Sequence, residues 1–282
     1  MYNAIFESNN GQKYVFGANG STVFDMNIGD GINVDISTSQ GFSQVGESVE
    51  TQSVSGKYID VNGVIYGNIQ SQKNRMRNVF APFASGKLVF ENKYFIRVWV
   101  KDTPTFSALK DDGRFSMRLY APFPFFLDVS EKISEIGSVE PMFMFPINYA
   151  ESHVFGIKSA SRYINIVNPG DVKVPLNLHI DVNGISTNPV IANLGTFETL
   201  KLNGVLNSGD SVDIYRTPEN VLVAELNSNG AITDIISWID EHSDLFELNV
   251  GDNLISATDE ENGANLVVKI RFNPALVAVY ET

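Results

Sequence analysis

Lys57-Tyr58-Ile59-Asp60-Val61-Asn62-Gly63-Val64-Ile65-Tyr66 alternates apolar and polar residues and is rich in the β-branched and aromatic side chains that suit a pleated, half-buried surface. The segment predicts strand on both sides of Asn62-Gly63. That dipeptide reads either as a two-residue hairpin turn or as a bulge within one long strand, and the sequence leaves both open. The same period of two recurs outward along the chain, at 87–90 and 94–100, and then at 163–167, 176–182, 198–202, 210–215, 221–225 and 266–272. Gly, Asn, Asp and Pro separate these runs, and in the second half such turn signals recur about every dozen residues, as in a two-sheet sandwich. The fold class is therefore mainly β.

Two segments break the pattern. Ile69, Met76, Val79, Phe80 and Phe83 follow helical spacing through a stretch carrying Gln, Lys and Arg, with Pro82 and Gly86 bounding its end. Residues 232–238, with Ile235, Ile236 and Ile239, predict a single short helix across one end of the second half. Between about Asp128 and Tyr149 a short polar stretch leads into Pro141, Phe143, Phe145 and Pro146, where prolines remove ladder donors. The expected organisation is a first domain over 1–130, a linker over 131–149 and a second domain over 150–282.

Composition narrows the function. The chain has 282 residues, 43 % of them apolar, 33 acidic against 20 basic residues and a formal charge of −13. This balance disfavours a nucleic-acid partner, which needs clustered Lys and Arg. The absence of cysteine removes disulfides, thiolate catalysis and Cys-ligated zinc. The start, Met1-Tyr2-Asn3-Ala4-Ile5-Phe6-Glu7, lacks the basic and apolar regions of a signal peptide, and no run of about 20 apolar residues predicts a membrane span.

Raw materials for catalysis are sparse. His153, His179 and His242 lie far from the spacing that puts two imidazoles on one helix face, and His179 falls in a strand pattern as a surface or core-edge residue. GxSxG, GxxxxGK[ST] and GxGxxG are absent. Asp111-Asp112-Gly113 reads as a turn, and Asp259-Glu260-Glu261-Asn262-Gly263 as a solvated hairpin tip with too few ligand positions for a calcium loop. Glu131 and Glu135 are carboxylates of the right type only. Trp99, in the middle of an apolar strand, reads as core, and Trp238 is the other candidate for stacking on a sugar. No catalytic residue, metal ligand or cofactor is assigned.

The stretch 41–50, Gly-Phe-Ser-Gln-Val-Gly-Glu-Ser-Val-Glu, followed by 52–67 with its Gly63-Val64-Ile65-Tyr66-Gly67 close, resembles the distal tail proteins of siphophages. The resemblance continues through Arg75 and Arg77 into Phe80-Ala81-Pro82-Phe83-Ala84-Ser85-Gly86-Lys87-Leu88, and then to Leu119-Tyr120-Ala121-Pro122-Phe123-Pro124-Phe125-Phe126. In the second half Asn168-Pro169-Gly170-Asp171-Val172, Asn188-Pro189-Val190-Ile191, 209–214 and 246–253 are similar to the turns and strands of that family's second domain. The resemblance implies an N-terminal β-rich domain with one helix that assembles into a hexameric ring, and an outward, galectin-like β-sandwich. It further implies a structural role at the virion tail tip. The partners would be the tail tube protein, a tail-associated lysin or tail-fibre hub, and receptor-binding proteins.

A ring needs surface that one subunit leaves unsatisfied. Phe42, Val45, Val49 and Val54, spaced among Ser, Gln and Gly, are the candidate inter-subunit contacts; a surface loop or edge strand is the other reading of the same segment. Two other functions rank below the ring. A carbohydrate-binding adhesion module would be expected to carry a long insertion, which neither half has, and a wall-degrading enzyme would need better acid and histidine constellations.

Overall fold

The computed structural model describes every residue except 1–2, 18–21, 29–30, 110–111, 138, 142–155, 159–161, 262–264 and 280–282. The chain divides into two units, Met1–Ser130 with Ala275–Thr282, and Glu131–Pro274.

The first unit carries β1 (Ala4–Ser8), β2 (Lys13–Phe16), β3 (Thr22–Met26), β4 (Val34–Ser39), β5 (Ser48–Val54), β6 (Lys57–Ile65), α1 (Ile69–Val79), β7 (Ser85–Phe90), β8 (Tyr94–Phe106), β9 (Arg114–Ala121) and β10 (Phe126–Asp128). Its main sheet runs β2-β1-β7-β8-β9-β6-β3, with β10 paired to β8, and the two ends of this order meet at a bridge between Gly17 and Thr22. Strand β6 is unbroken across Asn62-Gly63 and pairs with β3 on one side and β9 on the other. A Cβ at Gly63 would lie 2.5 Å from the Val23 carbonyl oxygen and 2.7 Å from the Phe115 ring. Close strand approach, not a turn, accounts for that glycine.

Helix α1 begins where the Asn68 side chain accepts a hydrogen bond from the Ser71 N–H (3.3 Å) and buries Met76 and Val79. Phe80, which caps its C-terminus, is fully buried among Phe6, Tyr14 and Phe16, with ring centroids 4.6, 5.8 and 5.8 Å away. Offset and edge-on rings at these separations add to the burial of aromatic area.

The second unit carries β11 (Lys132–Ile136), β12 (Val139–Pro141), β13 (Gly156–Lys158), β14 (Tyr163–Asn168), β15 (Val174–Pro175), β16 (Asn177–Val182), β17 (Ser186–Thr187), β18 (Val190–Asn193), β19 (Glu198–Lys201), β20 (Val205–Leu206), β21 (Ser211–Arg216), β22 (Leu222–Ser228), β23 (Ala231–Asp234), β24 (Glu247–Leu248), β25 (Gly251–Thr258) and β26 (Leu266–Phe272). A six-stranded sheet, β11-β26-β16-β21-β22-β23, and a four-stranded sheet, β14-β25-β18-β19, bury mainly aliphatic faces. Leu178, Ile214 and Leu222 of the larger sheet and Leu200 of the smaller line one apolar pocket. Strand β11 lies within the stretch read from sequence as a linker. The chain then returns to the first unit as β27 (Ala275–Leu276), which pairs with β10.

One expected helix does not form. Residues 232–238 split into the last residues of β23 and a 3₁₀ turn at Ile236–Trp238. Asn229 (φ +53°) and Gly230 (φ +86°) supply a tight turn that folds β23 back on β22. The Asp234 carboxylate then accepts from the Ile236 N–H (2.9 Å), so the isoleucine spacing belongs to two short elements.

Candidate functional site

Strands β4 and β5 pair only with each other, and every residue in them is exposed. The register sets Val34 opposite Val54, Ile36 opposite Gln52 and, past a bulge, Thr38 opposite Val49. Opposed residues share a face, so one side of the ribbon presents Val34, Ile36, Val49 and Val54. The other presents Asp35, Ser37, Ser39, Ser48, Thr51 and Ser53. At the base, the Ser55 N–H donates to the Asn33 carbonyl (3.2 Å), and the Ser55 hydroxyl donates to the Asp35 carboxylate.

Gln44 orders the tip of this arm. Its side-chain oxygen accepts from the Gly41 N–H (2.9 Å), its amide donates to the Ser48 hydroxyl (2.9 Å), and its backbone carbonyl accepts from the Gln40 amide (3.1 Å). Ser43 (φ +60°) and Gly46 (φ +85°) turn the chain. Phe42 and Val45 stand fully exposed there, at 104 % and 101 %. Of the four predicted contacts, Val49 and Val54 share the ribbon face, and Phe42 and Val45 share the tip. Val34 and Ile36 complete that face; the alternation Val34-Asp35-Ile36 carried the signal.

The second unit holds a continuous row of titratable residues across its six-stranded sheet. Successive register pairs run Glu135–Lys269–His179–Asp213–Glu225–Asp234. The His179 Nδ1 lies 2.7 Å from Asp213 and its Nε2 3.1 Å from Asp181, while the Lys269 ammonium donates to Asp181 (2.8 Å). Partial burial pushes the Asp181 carboxyl up, but Lys269 and His179 outweigh it and hold it below the ordinary carboxylate value. The hydrogen bond to Asp181 raises Lys269 in return, and desolvation with Glu225 and Asp213 nearby raises Tyr215. This row is internally paired at one end.

The other chemical candidates fall into structural roles. In the acidic run Asp259 is buried and Glu260 exposed, while Asn262 and Gly263 lie outside the described residues. Asp259 accepts from the buried Ser186 hydroxyl (2.7 Å), Glu261 accepts from both the N–H and hydroxyl of Thr187 (2.7 Å each), and Glu260 accepts from Asn188 (2.7 Å). These bonds hold the Glu261 carboxyl below its ordinary value. Asp112 accepts from the Arg114 N–H, and His242 is exposed beside Asp240. Asp111 and His153 lie outside the described residues. Trp99 is half-buried rather than core, because the buried side of β8 belongs to Ile96 and Val98; Trp238 packs over Gly204. Among the described residues, no three His, Asp or Glu side chains come together to hold a metal, and no helix is long and apolar enough to cross a membrane.

The exposed amphipathic ribbon belongs to a sheet unit with an aromatic core, followed in the chain by a unit of two main sheets. Residues 169–275 match the family of siphovirus-type tail components, C-terminal domain. The whole fold is similar to the crystal structure of SPP1 Dit (gp 19.1), described as a paradigm of hub adsorption apparatus in Gram-positive infecting phages. The TM-score is 0.65 at 10 % identity, over 96 % of this chain and 98 % of that one. A chain of the phage P2 baseplate in its activated conformation with Ca matches with a TM-score of 0.50 at 12 % identity, over 99 % of both chains. A search of curated proteins finds no match to the sequence. Residues 169–275 thus match the C-terminal domain of siphovirus-type tail components, and the fold of the chain is similar to that of a distal tail protein.

Proposed function

We propose that six copies close into a ring through the first unit, with the second unit projecting outward as a platform. The ring connects the tail tube protein above to a tail-associated lysin or tail-fibre hub below, with receptor-binding proteins as further partners, and performs no catalysis. The observation that carries this reading is the β4–β5 arm. A lone two-stranded ribbon is marginally stable in water, and this one presents a row of apolar side chains that its own chain leaves uncovered. A neighbouring copy is the partner that a closed ring supplies at every subunit.

Multi-angle light scattering of the protein, alone and mixed with the tail tube protein, tests the ring. Hexamers support it, and monomers under both conditions overturn it. Phe42→Asp with Val45→Asp is expected to abolish hexamers without lowering the melting temperature, because both side chains are fully exposed. Unchanged hexamers in that variant would remove the arm from the interface.

A further inference from the structure

An arm that joins one copy to the next needs a receiving surface, and the first unit carries one of complementary chemistry. On β6, β9 and β8 the residues that alternate with the buried Ile59, Leu119 and Val98 face away from the interior. Register sets three of these side by side, Tyr58 opposite Tyr120 and Tyr120 opposite Trp99, with Ser85 of β7 next in line. Tyr58 is 49 % exposed, Tyr120 and Trp99 are half-buried, and the two tyrosine rings lie 5.1 Å apart. The Val100 N–H donates to the Ala84 carbonyl (2.9 Å), which sets Phe83 near the far end of this row. Phe83 is 97 % exposed and held at φ +67°. That conformation costs a bulky residue energy, and strain of this kind clusters at binding sites.

Size and charge match the arm to this row. From Val34 to Thr38 the ribbon advances about 13 Å at about 3.3 Å per residue, and the strand spacings from Tyr58 to Ser85 span about 14 Å. The arm's apolar face can therefore lie crosswise over the row, in the near-orthogonal packing that two sheets adopt. Residues 33–55 hold Asp35, Glu47 and Glu50 and no Lys or Arg, a charge of −3. The solvent-facing charges of β6, β7, β8 and β9 are Lys87, Arg97, Lys101, Arg114 and Arg118 against Asp60 and Asp102, five less two, or +3. Lys87, opposite Arg97, and Lys101, in the bulge beside Asp102, are exposed on either side of the aromatic row. The arm does not cover the row of its own chain, since every arm strand residue is exposed and Tyr58 with them. A head-to-tail ring joins two different patches of one chain at every junction, and these two are opposite in charge. We propose that in the ring the β4–β5 arm of one copy lies across β6-β9-β8 of the next, with Ile36, Val49 and Val54 over Tyr58, Tyr120 and Trp99, and Glu47 and Glu50 toward Lys87 and Lys101. The proposal rests on the ring reading and adds the surface that receives the arm.

The chain has no cysteine, so one engineered pair reports the contact without background. Full-length chains carrying Ile36→Cys are mixed with chains carrying Tyr120→Cys, together with the tail tube protein where assembly needs it, and oxidised by dissolved oxygen. Disulfide-linked pairs of the two chains should form at least about tenfold faster than with Asp234→Cys, on the exposed edge strand of the second unit, in place of Tyr120→Cys, because docked thiols react at high effective concentration. Hexamers that link no faster through Tyr120→Cys than through Asp234→Cys overturn the placement and leave the ring standing. A second measurement uses exposed positions only. Lys87→Glu with Lys101→Glu should raise the protein concentration for half-assembly at least about tenfold at low salt, and Glu47→Lys with Glu50→Lys in the same chain should restore it. Assembly unchanged by the first pair, or not recovered by the second, overturns the proposal. Wild-type monomers with and without the tail tube protein would instead defeat the ring itself, and the placement with it.

Discussion

The two units bury their sheets with different side chains. The first fills its interior with Phe6, Tyr14 and Phe16 around Phe80 at the helix end, together with Phe90, Phe115 and Phe126, and is nearly neutral. The second is packed with Ile, Val and Leu from two sheets, with Phe246 and Phe272 as its fully described buried aromatics, and is strongly acidic. Large rings concentrate burial in few residues, so single losses are costly there. Aliphatic ladders spread the same burial over many. The charge difference suits a division of labour in which neutral surfaces meet one another and acidic ones stay apart.

Phe80→Ala should have the largest effect, because it removes the ring that touches Phe6, Tyr14 and Phe16 at once. The expected cost is about 3–5 kcal/mol. In calorimetry the transition of the first unit should fall while that of the second holds. A single transition moving as a whole would show that the units unfold together and would break the contrast.

Deleting 275–282 comes next. These residues follow the second unit in sequence, yet β27 pairs with β10, Ala275 is fully buried and Val279 packs on the first unit's core. The expected loss is about 2 kcal/mol from buried apolar area and two ladder positions, and it should fall on the first unit's transition. A loss confined to the second unit would reassign the terminal segment.

What was legible follows from the range of each signal. Period-two alternation is local, so most strands and the mainly-β class could be read directly, and α1 announced itself by its spacing. The isoleucines after Gly230 misled because their spacing fits a helix as well as a strand followed by a turn, and only the Asn229-Gly230 turn decides between them. The Asp259 run looked solvated because its partners, Ser186 to Asn188, are more than seventy residues away. Val49 and Val54 were visible as spaced apolar residues. That they share a face with Val34 and Ile36 is a fact of register, which no single strand contains.

Acid should separate the units by the smallest margin. Four carboxyls in the second unit, Asp181, Asp210, Asp240 and Glu261, are held below their ordinary values, against Asp112 in the first. For Asp210 the main cause is the Asn207 N–H, which donates to its carboxylate (2.8 Å), with Ser228 adding a second hydrogen bond. A carboxyl depressed in the folded state contributes stability that is present above its unfolded value, about 3.9, and is lost as pH falls through the lower folded value. The second unit's melting temperature should therefore drop more steeply than the first's below about pH 4. Asp210→Asn keeps an acceptor for Asn207 but no charge, so the variant should melt below the wild type at neutral pH and converge with it in strong acid. A gap that stays constant across that range would show that the Asp210 bond works through shape and not through its charge.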